Sequence, residues 1–327
     1  MMRRMQTFVT GGSGFLGRTL IRVLREKGHQ VRALARSDAA MEAVRLAGAD
    51  PVRGDLGQVD AMRDAMRGCE WVIHSAALAK AWGARKDFVE ANVRGTENVL
   101  EASLAAGVRR LVHVSTEAVL VGGGPIVDAV ETRPLPRYPL GLYPLTKGWA
   151  ERQVLAASGP ERETVVVRPR FIWGKDDTTV LAELIKAVKV GRFMWISGGR
   201  YLTSTCHVRN VAEGCILAAE HGKPREVYFL TDGEPVEFRS FITEMLRTQG
   251  VTPGARSVPH PLAAGLALVC DAIWGAFRLR SQPPITRSEL KLIGETVTVD
   301  DRKARAELGY SPVITREQGL REMASPG

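Results

Sequence analysis

The sequence is poor in cysteine, and none of its four cysteines is spaced as CxxC. That spacing would be needed for a zinc knuckle or a redox dithiol, so neither is predicted. Cys69, Cys215 and Cys270 lie in apolar contexts, which are typical of buried free thiols. Thiols of that kind suit a reducing compartment, and we therefore expect a cytoplasmic protein without a bound metal.

Two further signals are missing. No apolar stretch like that of a secretory signal peptide precedes the first strand-like segment. Lysine and arginine number 45 against 36 acidic residues, which gives a net charge of +9, yet no basic run resembles a nucleic-acid patch. We expect a small-molecule substrate and no nucleic acid, and we leave a homodimer open. The basic balance still favours polyanions or an anionic lipid surface.

The first half of the chain alternates short apolar runs with helical patterns. Strands are predicted at Gln6–Thr10, Val31–Ala35, Trp71–Ser75, Leu111–Ser115 and Thr164–Arg168. Helices are predicted near Leu16–Lys27, Ala39–Ala47, Ala61–Arg67, Val89–Ala106 and Leu145–Ala157. This alternation is typical of parallel βαβ units, whose crossovers place helices on both faces of the sheet. We predict an α/β fold with a doubly wound parallel sheet over residues 1–172.

The second half is richer in helical patterns. Helices are predicted at Thr178–Val190, Asn210–Glu220, Phe238–Gln249, Pro261–Leu279 and Asp301–Leu308, with strands at Val227–Leu230 and Thr296–Val299. We interpret residues 173–327 as a smaller, mainly helical lobe that covers the substrate. The boundary need not be clean, because Val227–Leu230 could return to the main sheet.

A glycine-rich loop follows the first strand. In TGGSGFLG, residues Thr10–Gly17, glycines recur at positions 11, 14 and 17, and Phe15 and Leu16 open an amphipathic helix. Gly11 permits a tight turn, Gly14 a close approach of the backbone to a pyrophosphate, and Gly17 close packing of helix on strand. The helix N-terminus would present free N–H groups to the phosphates. Because the loop joins a strand to a helix, it predicts a Rossmann dinucleotide-binding domain.

The end of the second strand bears on the choice of cofactor. NAD sites usually place an acid there, which bonds the ribose 2′-hydroxyl. This strand ends in Ala35, followed by Arg36, and no acid occurs before Asp38. Arg36 is placed to meet a 2′-phosphate, so NADP(H) is favoured. NAD(H) stays open, with Arg36 as a solvated loop charge.

Two further segments are expected to contact the dinucleotide. Asp55 and Leu56 follow the third strand region, where an acid can bond the adenine amine. The predicted strand Trp71–Ser75 is followed by small residues. The side chains of Ser75, Ala76 and Ala77 leave room for the cofactor.

A tyrosine and a lysine stand four residues apart in YPLTK, residues Tyr143–Lys147. On a helix this spacing places both side chains on one face. We expect Lys147 to lower the pKa of the Tyr143 phenol, which can then exchange a proton with a carbonyl or alcohol. Thr116, directly after the predicted strand Leu111–Ser115, could orient the substrate oxygen, with Ser115 as the alternative.

Together these features resemble the extended short-chain dehydrogenase/reductase superfamily over essentially the whole chain. The glycine loop, HSAA at His74–Ala77, VSTEAV at Val114–Val119 and YPLTK occur in the family order. The resemblance implies that Thr116, Tyr143 and Lys147 are catalytic and that Tyr143 and Lys147 also meet the cofactor.

Four other positions are interpreted through the same resemblance. Asn92 matches a helix asparagine near the active site, with a surface asparagine as the alternative, and Pro169 lines the nicotinamide side. The family usually has serine where Thr116 stands, and a threonine hydroxyl can do the same work with a more restricted χ1. Leu120 stands where the superfamily often has tyrosine.

The chain is most similar to the 3β-hydroxysteroid dehydrogenase/isomerase-like branch. The supporting segments are RPRFIWG at Arg168–Gly174, HVRNVAEG at His207–Gly214, PPIT at Pro283–Thr286 and DDRKARAELGY at Asp300–Tyr310. By resemblance, the substrate is a sterol, a steroid or a long-chain β-keto acid, and the reaction interconverts a ketone and a secondary alcohol. His207 invites a catalytic role, but a structural histidine before a helix is the commoner case.

The apolar segment Pro261–Leu279 sits where members of that branch carry an apolar helix. It is shorter than a membrane span and contains Asp271, which favours a buried helix. Because Arg278 and Arg280 follow, peripheral membrane contact through residues 261–280 is the alternative. Two other functions remain open: a nucleotide-sugar epimerase or dehydratase using Arg192 and Arg200, and a non-catalytic NADP-sensing protein.

Overall fold

The computed structural model describes residues 4–325. Its strands, in chain order, are β1 Gln6–Thr10, β2 Gln30–Ala35, β3 Asp50–Arg53, β4 Trp71–His74, β5 Arg110–Val114, β6 Ile126–Ala129, β7 Glu163–Pro169, β8 Ile172–Trp173, β9 Trp195–Ile196, β10 Leu202–Thr203, β11 Cys206–His207, β12 Val227–Leu230, β13 Val236–Glu237, β14 Ser257–Val258 and β15 Val297–Val299. Its α-helices are α1 Phe15–Glu26, α2 Asp38–Ala47, α3 Val59–Met66, α4 Arg85–Phe88, α5 Gly95–Ala105, α6 Leu142–Ala156, α7 Val180–Lys189, α8 Val208–His221, α9 Phe238–Arg247, α10 His260–Ala276, α11 Arg287–Ile293, α12 Arg302–Leu308 and α13 Arg316–Ala324. Short 3₁₀-helices span Glu117–Leu120 and Ser197–Gly199, and a π-helical turn spans Val89–Arg94.

Seven parallel strands form the main sheet, in the order β3-β2-β1-β4-β5-β7-β12. The predicted doubly wound Rossmann-type sheet is therefore confirmed. The order reverses direction between β1 and β4, and in such sheets ligands bind at this switch point, beyond the carboxyl ends of the strands.

The central strands are almost wholly buried because helices cover both faces of the sheet. Phe8 and Val9 of β1 are both fully buried, one on each face. On one side α1 and α8 pack through residues such as Leu20 and Val211, and on the other α3, α5 and α6 pack through residues such as Met62 and Val99. This packing fixes the strand ends that carry the site.

Strands of the second half of the chain join the main sheet and a smaller four-stranded sheet, and they form the two-stranded pairs β8-β11 and β9-β14. Val227–Leu230 is β12, which pairs with β7 at one edge of the main sheet, as the sequence had left open. A smaller sheet, in the order β13-β10-β15-β6, joins three strands of the second half to Ile126–Ala129 of the first half. The division at residue 172 stays a prediction, since strands from each part pair with the other.

Two local features differ from the sequence-based expectation. The sequence DPVR of β3 does not have a typical strand pattern because it contains proline. In the structure β3 is an edge strand, where Pro51 is tolerated. The single helix predicted for Val89–Ala106 is instead divided into the π-helical turn Val89–Arg94 and α5. Such π turns occur mostly inside α-helices and often at functional sites.

The apolar segment around α10 is only partly buried, so the expectation of a buried helix is wrong for its outer face. Its small residues, Ala263, Ala267 and Cys270, face the protein. Most of its large apolar residues are exposed, between 41% at Ile273 and 74% at Phe277, and Trp274 is partly buried. Among the helices of residues 4–325, none is long and apolar enough to cross a membrane.

Candidate active site

The glycine loop after β1 has the close contacts that a pyrophosphate-binding turn requires. Gly11 adopts a φ of +74°, which favours glycine, and its carbonyl accepts a hydrogen bond from the Gly14 N–H at 3.0 Å. A Cβ on Gly17 would lie 2.0 Å from the Gly11 carbonyl oxygen. Within residues 4–325 no side chain caps the N-terminus of α1, so its first N–H groups remain available. The loop therefore fits a dinucleotide pyrophosphate.

The small residues predicted at the end of β4 lie against this loop. Ser75 Oγ donates to the Thr10 carbonyl at 2.7 Å, and the Ala76 N–H donates to Thr10 Oγ1 at 3.3 Å. A Cβ on Gly11 would lie 2.8 Å from the Ala76 nitrogen, and Ala77 is exposed just beyond. The structure thus brings Ser75, Ala76 and Ala77 to the switch point between β1 and β4.

A buried polar chain runs below the loop. Thr10 Oγ1 lies 2.7 Å from His74 Nδ1, and His74 Nε2 lies 2.9 Å from Thr96 Oγ1. Thr96 donates to the Asn92 carbonyl, so it must accept from His74 Nε2–H, and Thr10 must donate to Nδ1. Burial, together with the charge of Lys147, lowers the pKa of His74 to about 3, so this imidazole is neutral. The sequence motif HSAA contains His74, but the motif alone does not indicate this buried hydrogen-bonding role.

Asn92 lies in the π-helical turn and is 1% exposed, which excludes the surface alternative. Its Oδ1 accepts from the Leu78 N–H at 2.7 Å, and its Nδ2 donates to the Leu78 carbonyl at 3.2 Å and to Thr146 Oγ1 at 3.0 Å. Asn92 therefore ties the segment after β4 to helix α6. Contact between Asn92 and the cofactor stays a prediction.

Arg36 is exposed at the carboxyl end of β2, where a 2′-phosphate would lie. No ion pair is found for it in the described part of the chain. Arg53, at the neighbouring end of β3, pairs with Asp38. Sequence reasoning missed Arg53, since its proximity to Arg36 depends on the pairing of β2 with β3.

Asp55 and Leu56 follow β3, as predicted. One oxygen of Asp55 accepts from the Gly57 N–H at 2.8 Å, which shapes the loop, and the residue is exposed. Leu56 packs against Gly95 at the start of α5, where a Cβ would lie 2.7 Å from its side chain. Both residues lie at the carboxyl edge of the sheet beyond β3.

Tyr143 and Thr116 meet at the carboxyl edge of the sheet. Tyr143 lies in the first turn of α6, and Thr116 precedes the 3₁₀-helix that follows β5. Thr116 lies close enough to Tyr143 to lower the pKa of its phenol. Ser115, the alternative, donates its hydroxyl proton to Glu151 Oε2 at 2.7 Å and is engaged away from Tyr143. The geometry therefore favours Thr116 as the partner of Tyr143.

The expected electrostatic effect of Lys147 on Tyr143 is not found. Burial raises the pKa of the Tyr143 phenol, and the negative charge of Glu117 raises it further, while Thr116 lowers it. Lys147 Nζ instead donates to the Val114 carbonyl at 2.7 Å and lies 3.1 Å from His113 Nε2. Burial lowers the pKa of Lys147, and the charge of Glu151 partly opposes this shift, so that the pKa is about 7.

Sequence reasoning missed a buried ion pair next to Thr116. Glu117 Oε2 accepts from Thr116 Oγ1 at 2.8 Å, and its Oε1 accepts from Arg170 Nη1 at 2.8 Å. The two charged side chains are 5% and 4% exposed. Neither residue type is usually buried without a partner, so the pair must form together.

Pro169 is the last residue of β7 and is buried at the same edge of the sheet; its contact with the nicotinamide stays a prediction. His207 has the geometry of a structural residue. It precedes α8, its Nδ1 accepts from the Arg209 N–H at 3.3 Å, and its ring packs edge-on against Trp173.

Comparison with known proteins supports the same family along the chain. A family model described as the 3-beta hydroxysteroid dehydrogenase/isomerase family matches residues 8–260. A 4-hydroxy-2-methyl-3-oxo-4-farnesyl-3,4-dihydroquinoline-1-oxide ketoreductase of Stigmatella aurantiaca is 49% identical over 323 residues, covering 99% of this chain and 97% of the relative. A 2-alkyl-3-oxoalkanoate reductase of Stenotrophomonas maltophilia is 33% identical over 329 residues, covering 98% of each protein.

A solved structure with the same fold contains a dinucleotide. MoeE5 in complex with UDP-glucose and NAD is 25% identical, with a TM-score of 0.73, over 98% of this chain and 97% of that one. With the glycine loop and the parallel sheet in place, these matches identify an NAD(P)-dependent oxidoreductase of the extended short-chain dehydrogenase/reductase type. The chain belongs to the 3-beta hydroxysteroid dehydrogenase/isomerase family.

Proposed function

We propose that this enzyme interconverts a ketone and a secondary alcohol on a large apolar substrate, with Tyr143 as the acid and base. The observation that carries the proposal is the placement of Tyr143, in the first turn of α6, and Thr116, after β5, at the carboxyl edge of the sheet near the switch point. Both groups are largely shielded from water, and a proton is exchanged most efficiently by a positioned group of this kind.

The protein's own residues divide the work. The Gly11–Gly17 loop and the N-terminus of α1 would hold a pyrophosphate. A bound nicotinamide cofactor supplies the hydride. Tyr143 gives its proton to the carbonyl oxygen in the reductive direction, and Thr116 orients the reacting groups. We propose that Lys147 holds the nicotinamide ribose, while its bond to the Val114 carbonyl fixes its position.

We further propose that NADP(H) is the preferred cofactor. Arg36 is exposed where a 2′-phosphate would lie, and Ala35 occupies the position at which NAD sites usually carry an acid. A phosphate dianion would gain a charge-assisted hydrogen bond from a guanidinium there. Arg53 lies at the adjacent strand end, where Asp38 neutralises its charge, so Arg36 is the cation that this corner offers to a phosphate.

The substrate class follows from α10 and from the relatives. Relatives named as reductases of a farnesyl-substituted ring ketone and of 2-alkyl-3-oxoalkanoates act on ketones with long hydrocarbon groups. In this chain Trp82, on the segment after β4, donates to the Leu279 carbonyl at 2.9 Å and ties the end of α10 to that segment. An apolar helix anchored there is suited to cover a hydrocarbon group, at about 0.8 kcal/mol per buried CH₂. A sterol, a steroid or a long-chain β-keto acid fits this description.

The outer face of α10 is proposed to contact an anionic membrane surface from the cytoplasmic side. Leu262, Leu266, Val269 and Phe277 are between 49% and 74% exposed. Arg278 and Arg280 are exposed just beyond the helix, as in helices that lie in a bilayer interface. Asp271 does not interrupt this face, because it pairs with Arg287 at 2.9 Å.

One observation favours a second function, that of a nucleotide-sugar epimerase or dehydratase. MoeE5 shares the fold and binds UDP-glucose, and Arg200 lines an open cleft of about 430 Å³ with Arg239 and Arg247, which Glu237 and Glu244 also line. Sugar enzymes of this type usually hold NAD behind an acid, and Ala35 stands in that place.

A cofactor-dependent absorbance assay tests the proposal. It compares 2-alkyl-3-oxoalkanoates of increasing chain length, 3-oxosteroids, a prenylated ring ketone and UDP-glucose, each with NADPH and NADH or their oxidised forms. We expect kcat/KM to rise with the apolar size of the ketone and no turnover of UDP-glucose. An epimerase or dehydratase regenerates its NAD and gives no net absorbance change, so UDP-glucose conversion is followed by chromatography of the sugar nucleotides. Turnover of UDP-glucose alone would establish the second function, and no rise with apolar size would refute the hydrocarbon-binding role of α10.

A further inference from the structure

His113 is a buried ionisable residue that the proposed reaction does not use. It lies in β5, one residue before Val114, and its side chain is fully buried. Its Nε2 lies 3.1 Å from Lys147 Nζ, while its Nδ1 has no hydrogen-bond partner among residues 4–325. A buried polar atom without a partner is rare in folded proteins and calls for an explanation.

The hydrogen bonds place the proton on this imidazole. Below its pKa of about 7, the Lys147 side chain is an ammonium, which has three protons to donate and no lone pair. Nε2 of His113 must therefore accept from Lys147. Burial, together with the charge of Lys147, holds the pKa of His113 well below its usual value, so the imidazole is neutral and its one proton is on Nδ1. An apolar side chain at this position would leave no such unpaired N–H in the core.

Two neutral acceptors on β5 hold the Lys147 ammonium. The Val114 carbonyl accepts at 2.7 Å and His113 Nε2 at 3.1 Å, so two of the three protons are directed into the sheet. Within the described part of the chain Lys147 makes no further hydrogen bond, and its third proton stays available. Because the two acceptors are adjacent residues of a central strand, they fix the direction of an otherwise flexible side chain.

No carboxylate pairs with this ammonium in the described residues. Glu151, one turn further along α6, instead forms an ion pair with Arg168 and accepts from the Ser115 hydroxyl at 2.7 Å. The charge of Lys147 is therefore held by neutral groups and is not cancelled by a directly paired anion.

The unpaired Nδ1 argues against His113 as a proton relay. A relay needs a second group that takes the proton onward, and among residues 4–325 none lies within hydrogen-bond distance of Nδ1. The ring of His74 lies 5.1 Å away between centroids, but Thr10 and Thr96 engage both of its nitrogens. His113 is thus placed to position Lys147 rather than to pass on its proton.

We propose that His113 is a positioning residue: it accepts a hydrogen bond from Lys147 and leaves one ammonium proton free for the ribose hydroxyls of the nicotinamide cofactor. The inference rests on the proposed function, in which Lys147 holds that ribose. A neutral acceptor suits this role, because a carboxylate in its place would form the stronger hydrogen bond and compete with the cofactor for the ammonium.

The first test determines the tautomer of His113 in the cofactor-free, unmodified protein. Nitrogen–proton correlation spectra of protein labelled with ¹⁵N-histidine, assigned through the backbone, distinguish Nδ1–H from Nε2–H imidazoles. At a pH below the pKa of Lys147 we expect His113 in the Nδ1–H form. His74 is the internal control and should show the opposite form, because its Nε2–H donates to Thr96. An Nε2–H or doubly protonated His113 would overturn the inference.

The second test compares side chains with and without an acceptor. His113→Gln carries an oxygen that can reach the position of Nε2, whereas His113→Phe fills a similar space without an acceptor. We expect NADPH affinity, by fluorescence titration, to fall about fivefold in His113→Phe, or about 1 kcal/mol, and to stay within about twofold of the unmodified value in His113→Gln. His29→Phe is the matched control and should leave the affinity unchanged, because this buried histidine accepts from the Met5 N–H at the opposite edge of the sheet.

Equal losses of affinity in His113→Phe and His113→Gln would overturn the inference. An unchanged affinity in His113→Phe would do the same if Lys147→Met weakens binding. The tautomer is measured without cofactor, so its result is independent of the proposed function. Failure of the proposed role of Lys147 would appear separately, as unchanged cofactor affinity in Lys147→Met.

Discussion

A phenol that gives a proton to a ketone must still hold that proton at the working pH. At Tyr143, burial and the charge of Glu117 raise the pKa of the phenol, and Thr116 lowers it. Lys147 contributes little to this balance, since its ammonium points toward β5. The residues around Tyr143 therefore favour the protonated phenol, which acts as the acid in ketone reduction. A cationic nicotinamide would favour the phenolate, which is the base needed for alcohol oxidation.

The cofactor preference also depends on one side chain. Arg36→Ala should remove most of a preference for NADPH over NADH that we expect to be at least tenfold, or about 1.4 kcal/mol. The physical reason is the loss of the cation facing the 2′-phosphate. Fluorescence titration of both cofactors measures it, and Arg45→Ala on helix α2, which pairs with Glu42, is the control. Equal affinities in the unmodified protein would refute the assignment.

At the scale of single elements, the first turn of α1 depends on the absence of a side chain. Gly17→Ala would place a Cβ 2.0 Å from the Gly11 carbonyl oxygen, so the loop must shift. We expect cofactor affinity to fall at least tenfold, about 1.4 kcal/mol, and thermal stability to drop. Gly275→Ala is the matched control, because a Cβ there meets nothing within 4 Å. Equal effects of the two substitutions would contradict this role of Gly17.

Helix α10 carries the prediction about membranes. Replacing Leu262 and Phe277 together by serine should abolish sedimentation with anionic liposomes at low salt, because the exposed apolar anchors are lost. High salt should weaken binding of the unmodified protein, since Arg278 and Arg280 would be screened. Leu46→Ser is the control, as Leu46 is 76% exposed on a different helix. An unmodified protein that does not bind such liposomes at low salt would refute the contact.

Across the whole molecule, the features set by local sequence were predictable. The apolar runs of the central strands and the glycine spacing of Thr10–Gly17 are local signals, and the structure confirms the sheet that they imply. The spacing of Tyr143 and Lys147 also placed both on α6 correctly. The direction of the Lys147 side chain was not predictable, because its acceptor is a carbonyl of β5.

The missed features depend on contacts between distant parts of the chain. Nothing in the sequence near Glu117 indicates its partner, and only the fold brings Arg170 to it. The strand β3 is short and contains Pro51, which argues against an internal strand but not an edge strand. Similarly, Ile126–Ala129 became recognisable as a strand only through its pairing with β15.

Tyr143→Phe tests the proposed chemistry most directly. The substitution removes the exchangeable proton and leaves the packing of the ring, so cofactor affinity should change little while turnover falls by ~10²–10⁴, the range typical of a lost general acid. Tyr138→Phe is the matched control, since Tyr138 is 73% exposed. The measurement is steady-state turnover of the best apolar ketone with NADPH, alongside fluorescence titration of cofactor binding. A Tyr143→Phe enzyme that keeps near-normal turnover would show that the proton comes from another group and would contradict the proposed function.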